Sequence, residues 1–162
     1  SYALDLARGL APHGVLTTLA ALGPAPSADQ ARQADAVPGL TLVSTGLPLD
    51  WTAERPEDVL RAGEALIGLA ADARADLVHL NGPALGAAGR FEAPTVVACH
   101  SCVATWWAAV RAEPLPADFL WRTRLTAEGY ARADALVAPT RAFALATQRA
   151  YGLAAPPRVV RN

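Results

Sequence analysis

The sequence predicts an α/β domain in which a doubly wound, mainly parallel sheet carries helices on both faces. Three runs, Leu77-Val78-His79-Leu80, Thr95-Val96-Val97-Ala98-Cys99 and Ala135-Leu136-Val137-Ala138, are largely apolar at successive positions rather than at alternate ones. Strands of that kind are buried on both faces, as in a parallel sheet. Helix-length segments separate the runs, and right-handed crossovers through them return each strand parallel to the last. Pro and Gly punctuate the junctions, so each element has a marked beginning or end.

The elements follow in order. Residues 2–11 place Leu4, Leu6, Ala7, Leu10 and Ala11 near helical spacing, and Pro12 and Gly14 end that helix. Residues 15–22 read as a buried strand, stopped by Gly23-Pro24-Ala25-Pro26, and residues 27–35 as loop or short helix. A second short strand covers 40–44 after the Pro38-Gly39 turn, and Leu47 to Trp51 form a loop. Residues 55–74 form a helix with Pro56 in its first turn, Glu57 and Asp58 beside the positive end of its dipole and Arg74 near the other end.

The third strand, 77–80, breaks at Asn81-Gly82-Pro83, and 84–88 suits a short helix. The fourth strand, 95–99, is β-branched and introduced by Pro94. A long helix is expected over 117–133 with one internal glycine, Gly129. A fifth strand covers 135–138, a helix 141–151 is capped by Gly152, and a last strand begins at 158–160.

One domain is expected over residues 1–162, since single cores run to roughly 100–200 residues. The chain is 52% hydrophobic and 18% charged, which excludes a disordered polymer. Its net charge is -1 and all 14 basic residues are Arg, with no clustered basic face, so nucleic acid is not an expected partner. There is no apolar run of transmembrane length and no signal-peptide pattern at Ser1-Tyr2-Ala3. A cytoplasmic protein is expected, with peripheral membrane contact left open. The chain starts on a helix and stops at the strand Arg158-Val159-Val160, so an excised piece of something larger is also expected.

Doubly wound sheets bind ligands beyond the carboxyl ends of their strands. Asn81-Gly82-Pro83, His100-Ser101 and Pro139-Thr140-Arg141 all fall there. His100 directly follows a buried strand, and a neutral imidazole can donate or accept a hydrogen bond near neutral pH. Hydrogen bonding to neighbouring backbone is its blander role. Asn81 and Gly82 suit a hydroxyl or merely a turn. Thr140 is a natural N-cap, with anion binding beside Arg141 as the alternative. Trp106 and Trp107, on the same loop as His100, could stack on a sugar or pack; adjacent residues cannot both face one way from a helix. Tyr2 heads the first helix, where it could meet ligand or staple the helix start. His79 inside a strand reads as a satisfied core residue, and His13 as a turn residue.

Cys99-His100-Ser101-Cys102 is also a C-x-x-C motif after a strand, the spacing of a thiol oxidoreductase. Against that, Cys99 completes an apolar strand. No second pair of ligands stands at metal spacing, so no metal is expected.

Five fragments carry a family resemblance: Leu6-Ala7-Arg8-Gly9-Leu10-Ala11-Pro12-His13-Gly14, Ala75-Asp76-Leu77-Val78-His79-Leu80-Asn81, Val97-Ala98-Cys99-His100-Ser101, Ala133-Asp134-Ala135-Leu136-Val137-Ala138-Pro139-Thr140 and Val159-Val160-Arg161-Asn162. In this order and at these intervals the chain resembles the N-terminal half of a family 4 glycosyltransferase of GT-B fold. The resemblance implies a Rossmann-like acceptor-side lobe whose first strand would precede Ser1. A C-terminal lobe holding most of the nucleotide-sugar donor would be entered at Asn162. It implies sugar transfer with retention of configuration to an acceptor hydroxyl, without a metal or other cofactor. It places His100 against the donor sugar and the Tyr2 region near the acceptor or phosphate, while Ser101, Asn81, Gly82, Trp106, Trp107, Thr140 and Arg141 are candidate contacts from their own positions. On this reading the 162 residues alone are inactive. A non-catalytic sugar- or nucleotide-binding module is the competing interpretation.

Overall fold

The computed structural model describes residues 1–161, and Asn162, the expected hinge residue, lies outside the described residues. The chain forms two compact units, Ser1–Thr52 and a second from Ala53 onward.

In the first unit, helix α1 (Tyr2–Leu10) runs into a tight 3-10 turn, Ala11–His13, closed by Gly14 at φ 76. Strand β1 (Thr17–Ala21), helix α2 (Ala28–Asp35) and strand β2 (Leu40–Ser44) follow. The segment left open between loop and helix is helical because Ser27 and Gln30 cap it reciprocally: the Gln30 N–H donates to Ser27 Oγ at 3.2 Å, and the Ser27 N–H to Gln30 Oε1 at 2.8 Å. β1 and β2 pair in parallel from Thr17↔Leu40 to Ala21↔Ser44. Leu4, Ala7, Ala34 and Val37 are buried together, with Leu19, Leu40 and Leu42 packed against them.

The second unit contains α3 (Pro56–Asp72), β3 (Val78–Leu80), a 3-10 helix (Pro83–Ala88), β4 (Thr95–Ala98) and α4 (Val103–Val110). A 3-10 turn (Ala117–Phe119), α5 (Leu120–Arg132), β5 (Ala135–Ala138), α6 (Arg141–Tyr151) and β6 (Arg158–Val159) complete it. The four strands lie in the order β3-β4-β5-β6, every pair parallel, with Leu80 beside Val97, Ala98 beside Val137 and Ala138 beside Val159. Leu80, Val97, Cys99, Tyr130, Ala138 and Ala144 form its buried centre, and Val97 and Cys99 are 0% and 1% exposed. These are parallel sheets flanked by helices, the Rossmann-like half of a GT-B fold.

Several boundaries differ from the sequence reading for identifiable reasons. α3 stops at Asp72, because Arg74 turns into the left-handed region at φ 49 and so lies beyond the helix it was expected to close. The expected helix over 117–133 opens with a 3-10 turn and becomes α-helical only at Leu120. Trp106 and Trp107 belong to helix α4, not to a loop. No helix among the described residues is long and apolar enough to cross a membrane.

The 3-10 helix after β3 is wedged between α3 and α5. Contact is close enough that a β-carbon on Gly129 would run into the Pro83 carbonyl, and one on Gly63 into the Leu85 carbonyl and the Ala88 Cβ. Arg132 donates from the end of α5 to the Gly86 and Ala87 carbonyls, tying the same segment down. This wedge is what holds the chain leaving β3 in place.

Candidate functional site

β3 and β4 are parallel neighbours, with Leu80 beside Val97 and β4 one residue longer, so the residues that follow them emerge at the same edge. Asn81 leaves β3. On β4 the ladder to β5 continues one bond further, Cys99 N–H donating to the Val137 carbonyl at 2.7 Å. The chain then folds back, His100 N–H donating to the Ala98 carbonyl at 3.1 Å. The turn brings the half-buried imidazole of His100 to Asn81, with Nε2 and Oδ1 3.2 Å apart. Burial holds the His100 pKa below the ordinary histidine value, which favours the neutral ring.

His79 is the residue that sequence reasoning set aside. It lies on β3 two positions before Asn81 and therefore on the same face of the strand. Burial lowers its pKa, the Asn81 side chain acts in the opposite sense, and His100 adds to the lowering. The Asn81 carboxamide thus has one imidazole at hydrogen-bonding distance and interacts with a second. The signal was the His-x-Asn spacing at a strand end, which gains meaning only when β4 is known to lie alongside.

The other candidates distribute as follows. Ser101 is exposed beside His100, and Gly82 opens the 3-10 helix in ordinary extended backbone at φ -111. β5 delivers Pro139-Thr140-Arg141 at the same carboxyl edge. There the Thr140 hydroxyl accepts the Phe143 N–H at 3.1 Å, so it caps α6, and Arg141 is exposed. Trp106 is 48% exposed, whereas Trp107 is half-buried, lies 5.8 Å from the Phe119 ring and donates its indole N–H to the Glu113 carbonyl at 2.8 Å. Arg111 covers both indoles at 6.0 and 5.6 Å from their centroids. Tyr2 belongs to the first unit, half-buried at the start of α1.

The C-x-x-C motif does not form a thioredoxin-type site. Cys99 is sealed in the core and burial pushes its thiol up to about 11, the opposite of what a nucleophilic thiolate requires. Both cysteines are free; Cys102 precedes α4, with its sulfur 3.0 Å from Thr105 Oγ1. Among the described residues, no three His, Cys, Asp or Glu side chains are grouped to hold a metal ion.

A cavity of about 200 Å³ opens at the opposite, amino end of β4 and β5, lined by Thr95, Phe91, Arg132 and Asp134 among others. Two of its charged groups serve the fold: Arg132 is bound to carbonyls, and Asp134 accepts the Thr95 N–H at 2.7 Å.

Doubly wound sheets bind ligands beyond the carboxyl ends of their strands, and this unit gathers amide, imidazole and hydroxyl groups there. The family model for Glycosyltransferase Family 4 matches residues 1–162, and the chain belongs to that family. It is therefore a glycosyltransferase domain. No curated protein matches it.

Proposed function

We propose that this chain is the acceptor-side domain of a retaining glycosyltransferase that moves a sugar from a nucleotide-sugar donor to an acceptor hydroxyl. The observation that carries this reading is the His100–Asn81 pair at the carboxyl edge of the β3–β4 ladder. His100 contacts the donor sugar near its reacting carbon, where a neutral ring can exchange a hydrogen bond with a hydroxyl without bringing a charge. Ser101 and Gly82 offer further polar contacts on the same edge, and Asn81 places its polar group there against His100. Trp106 and Trp107 present aromatic faces to an acceptor ring or apolar acceptor. Thr140 and Arg141 lie at a helix N-terminus, which favours an anionic group. Tyr2 is an acceptor contact in the first unit.

The acceptor hydroxyl attacks the anomeric carbon from the face that the nucleotide diphosphate leaves, so configuration is retained. A C-terminal domain of the same enzyme binds the donor and supplies the carboxylates and phosphate clamp of this step. The chemistry requires neither a metal nor another cofactor. The enzyme works in the cytoplasm, with peripheral contact to a membrane where the acceptor is lipid-linked, and takes no nucleic acid partner.

Nucleoside diphosphate release from UDP-glucose and GDP-mannose tests the reading. The transferase carrying this chain together with its donor domain turns over one of these probes, and the 162 residues alone turn over neither. His100→Ala lowers kcat by about 100-fold, the scale of one preorganised hydrogen bond at a reacting centre, at unchanged Tm. Turnover by the 162 residues alone, or full kcat per folded molecule in His100→Ala, rejects the proposal.

A further inference from the structure

We infer that Asn81 is a positioning residue: its carboxamide sets the ring orientation and tautomer of His100. The geometry is explicit. Oδ1 of Asn81 lies 3.2 Å from Nε2 of His100. A carbonyl oxygen can only accept, so in the neutral ring Nε2 carries the hydrogen and Nδ1 keeps the lone pair. Alone, an exposed asparagine at a strand end would rotate freely and could offer His100 either its oxygen or its nitrogen. Here His79, built into β3 and half-buried, stands two residues before Asn81 on the same face and also interacts with its side chain. Rotating the carboxamide by half a turn would exchange the acceptor that faces His100 for a donor, so the amide orientation selects the tautomer. The arrangement parallels the way a second group fixes the tautomer of functional histidines elsewhere. Asn81 then acts through His100 rather than through a ligand contact of its own.

The inference rests on His100 being the sugar contact for its functional consequence, but the ring state can be read without any sugar. Long-range ¹H–¹⁵N spectra of the histidine side chains of the 162-residue chain, taken at about pH 8 where histidine is neutral, should show His100 with a protonated-type Nε2 and a lone-pair-type Nδ1. In Asn81→Ala the two ring nitrogen shifts move toward each other as the tautomers mix. Asn81→Asp, which keeps an acceptor oxygen, restores their separation, and His79→Phe weakens it with Asn81 intact. In the transferase carrying this chain, with UDP-glucose and GDP-mannose as probe donors, Asn81→Ala lowers kcat about 10-fold, the scale set by one lost hydrogen bond. The same substitution costs nothing further in a His100→Ala background, because the two act as a unit. Unchanged ring shifts in Asn81→Ala overturn the inference, as does an undiminished loss in the His100→Ala background. Mixed tautomers with kcat indifferent to His100→Ala leave the positioning intact and reject the sugar contact instead.

Discussion

The Pro83 carbonyl lies over Gly129 in the place where a β-carbon would project, so that α5 and the 3-10 helix meet backbone to backbone. Neither side of that contact is a flexible side-chain end. Gly129→Ala must therefore push the 3-10 helix away from α5, and overpacking of this kind costs about 1–3 kcal/mol. Gly68, inside α3, has nothing within 4 Å of the equivalent position. The same substitution there removes backbone entropy from the unfolded chain and stabilises by about 1 kcal/mol. Denaturant midpoints for the two variants should move in opposite directions. A Gly129→Ala protein as stable as Gly68→Ala would show that the wedge is loose.

That wedge explains part of what could be read from sequence. Gly129 was visible as an oddity inside a helix, but its reason lies in a segment 46 residues earlier, at Pro83. Strand β4 was legible because Val96 and Val97 favour strands and Pro94 announces them. α4 was not: Cys102 caps it without a side-chain bond, and its residues Val103–Val110 are apolar nearly all round, so no amphipathic period marks it. The site divides the same way. His100 could be placed from the strand before it, a local fact. The role of His79 could not, because it depends on the register that sets β3 beside β4.

Beneath the site, several buried polar atoms have no hydrogen-bond partner among the described residues: the hydroxyls of Tyr130, Tyr151 and Thr147. The two phenol rings meet edge to face at 5.0 Å, and burial pushes both phenol pKa values up. Their oxygens face the thiols of Cys99 and Cys102 without forming bonds of full geometry. A buried donor without a partner carries a desolvation penalty with little return. Thr147 is 0% exposed, so Thr147→Val should be neutral or stabilise by up to about 1 kcal/mol, and Tyr130→Phe likewise. Urea melts decide it: a loss above about 1 kcal/mol in Thr147→Val would mean the hydroxyl is satisfied after all.

The two edge histidines make stability depend on pH in a definite sense. Burial lowers the pKa of both His79 and His100 below 6.5 in the folded chain. As pH falls through 6.5, the unfolded chain takes up protons on these rings before the folded one does. Stability is therefore full above that value and declines below it, until the folded pKa values are passed. His79→Gln and His100→Gln should each flatten the fall in Tm between about pH 7 and 5. The carboxylates of the chain are common to all three proteins, so the difference between curves isolates the imidazoles. Parallel curves for wild type and His79→Gln would mean that this ring is as easily protonated in the fold as outside it.

The adjacent tryptophans of α4 supply the sharpest separation of packing from ligand contact. Trp107 is held by its ring contact with Phe119 and by the bond from its indole to the Glu113 carbonyl, so it secures the segment leading into α5. Trp106 is 48% exposed and meets Trp107 edge to face at 6.1 Å, with the Arg111 guanidinium near its ring. Trp107→Ala should cost about 2 kcal/mol of stability, since it removes a half-buried aromatic and a hydrogen bond. Trp106→Ala should cost less than about 1 kcal/mol yet raise the KM for acceptor several-fold, as expected where stacking contributes about 1 kcal/mol of binding. Because the helix points the two rings in different directions, the KM effect belongs to Trp106 and the Tm effect to Trp107. Finding both effects in one variant, with the other silent, would reverse the assignment of these rings.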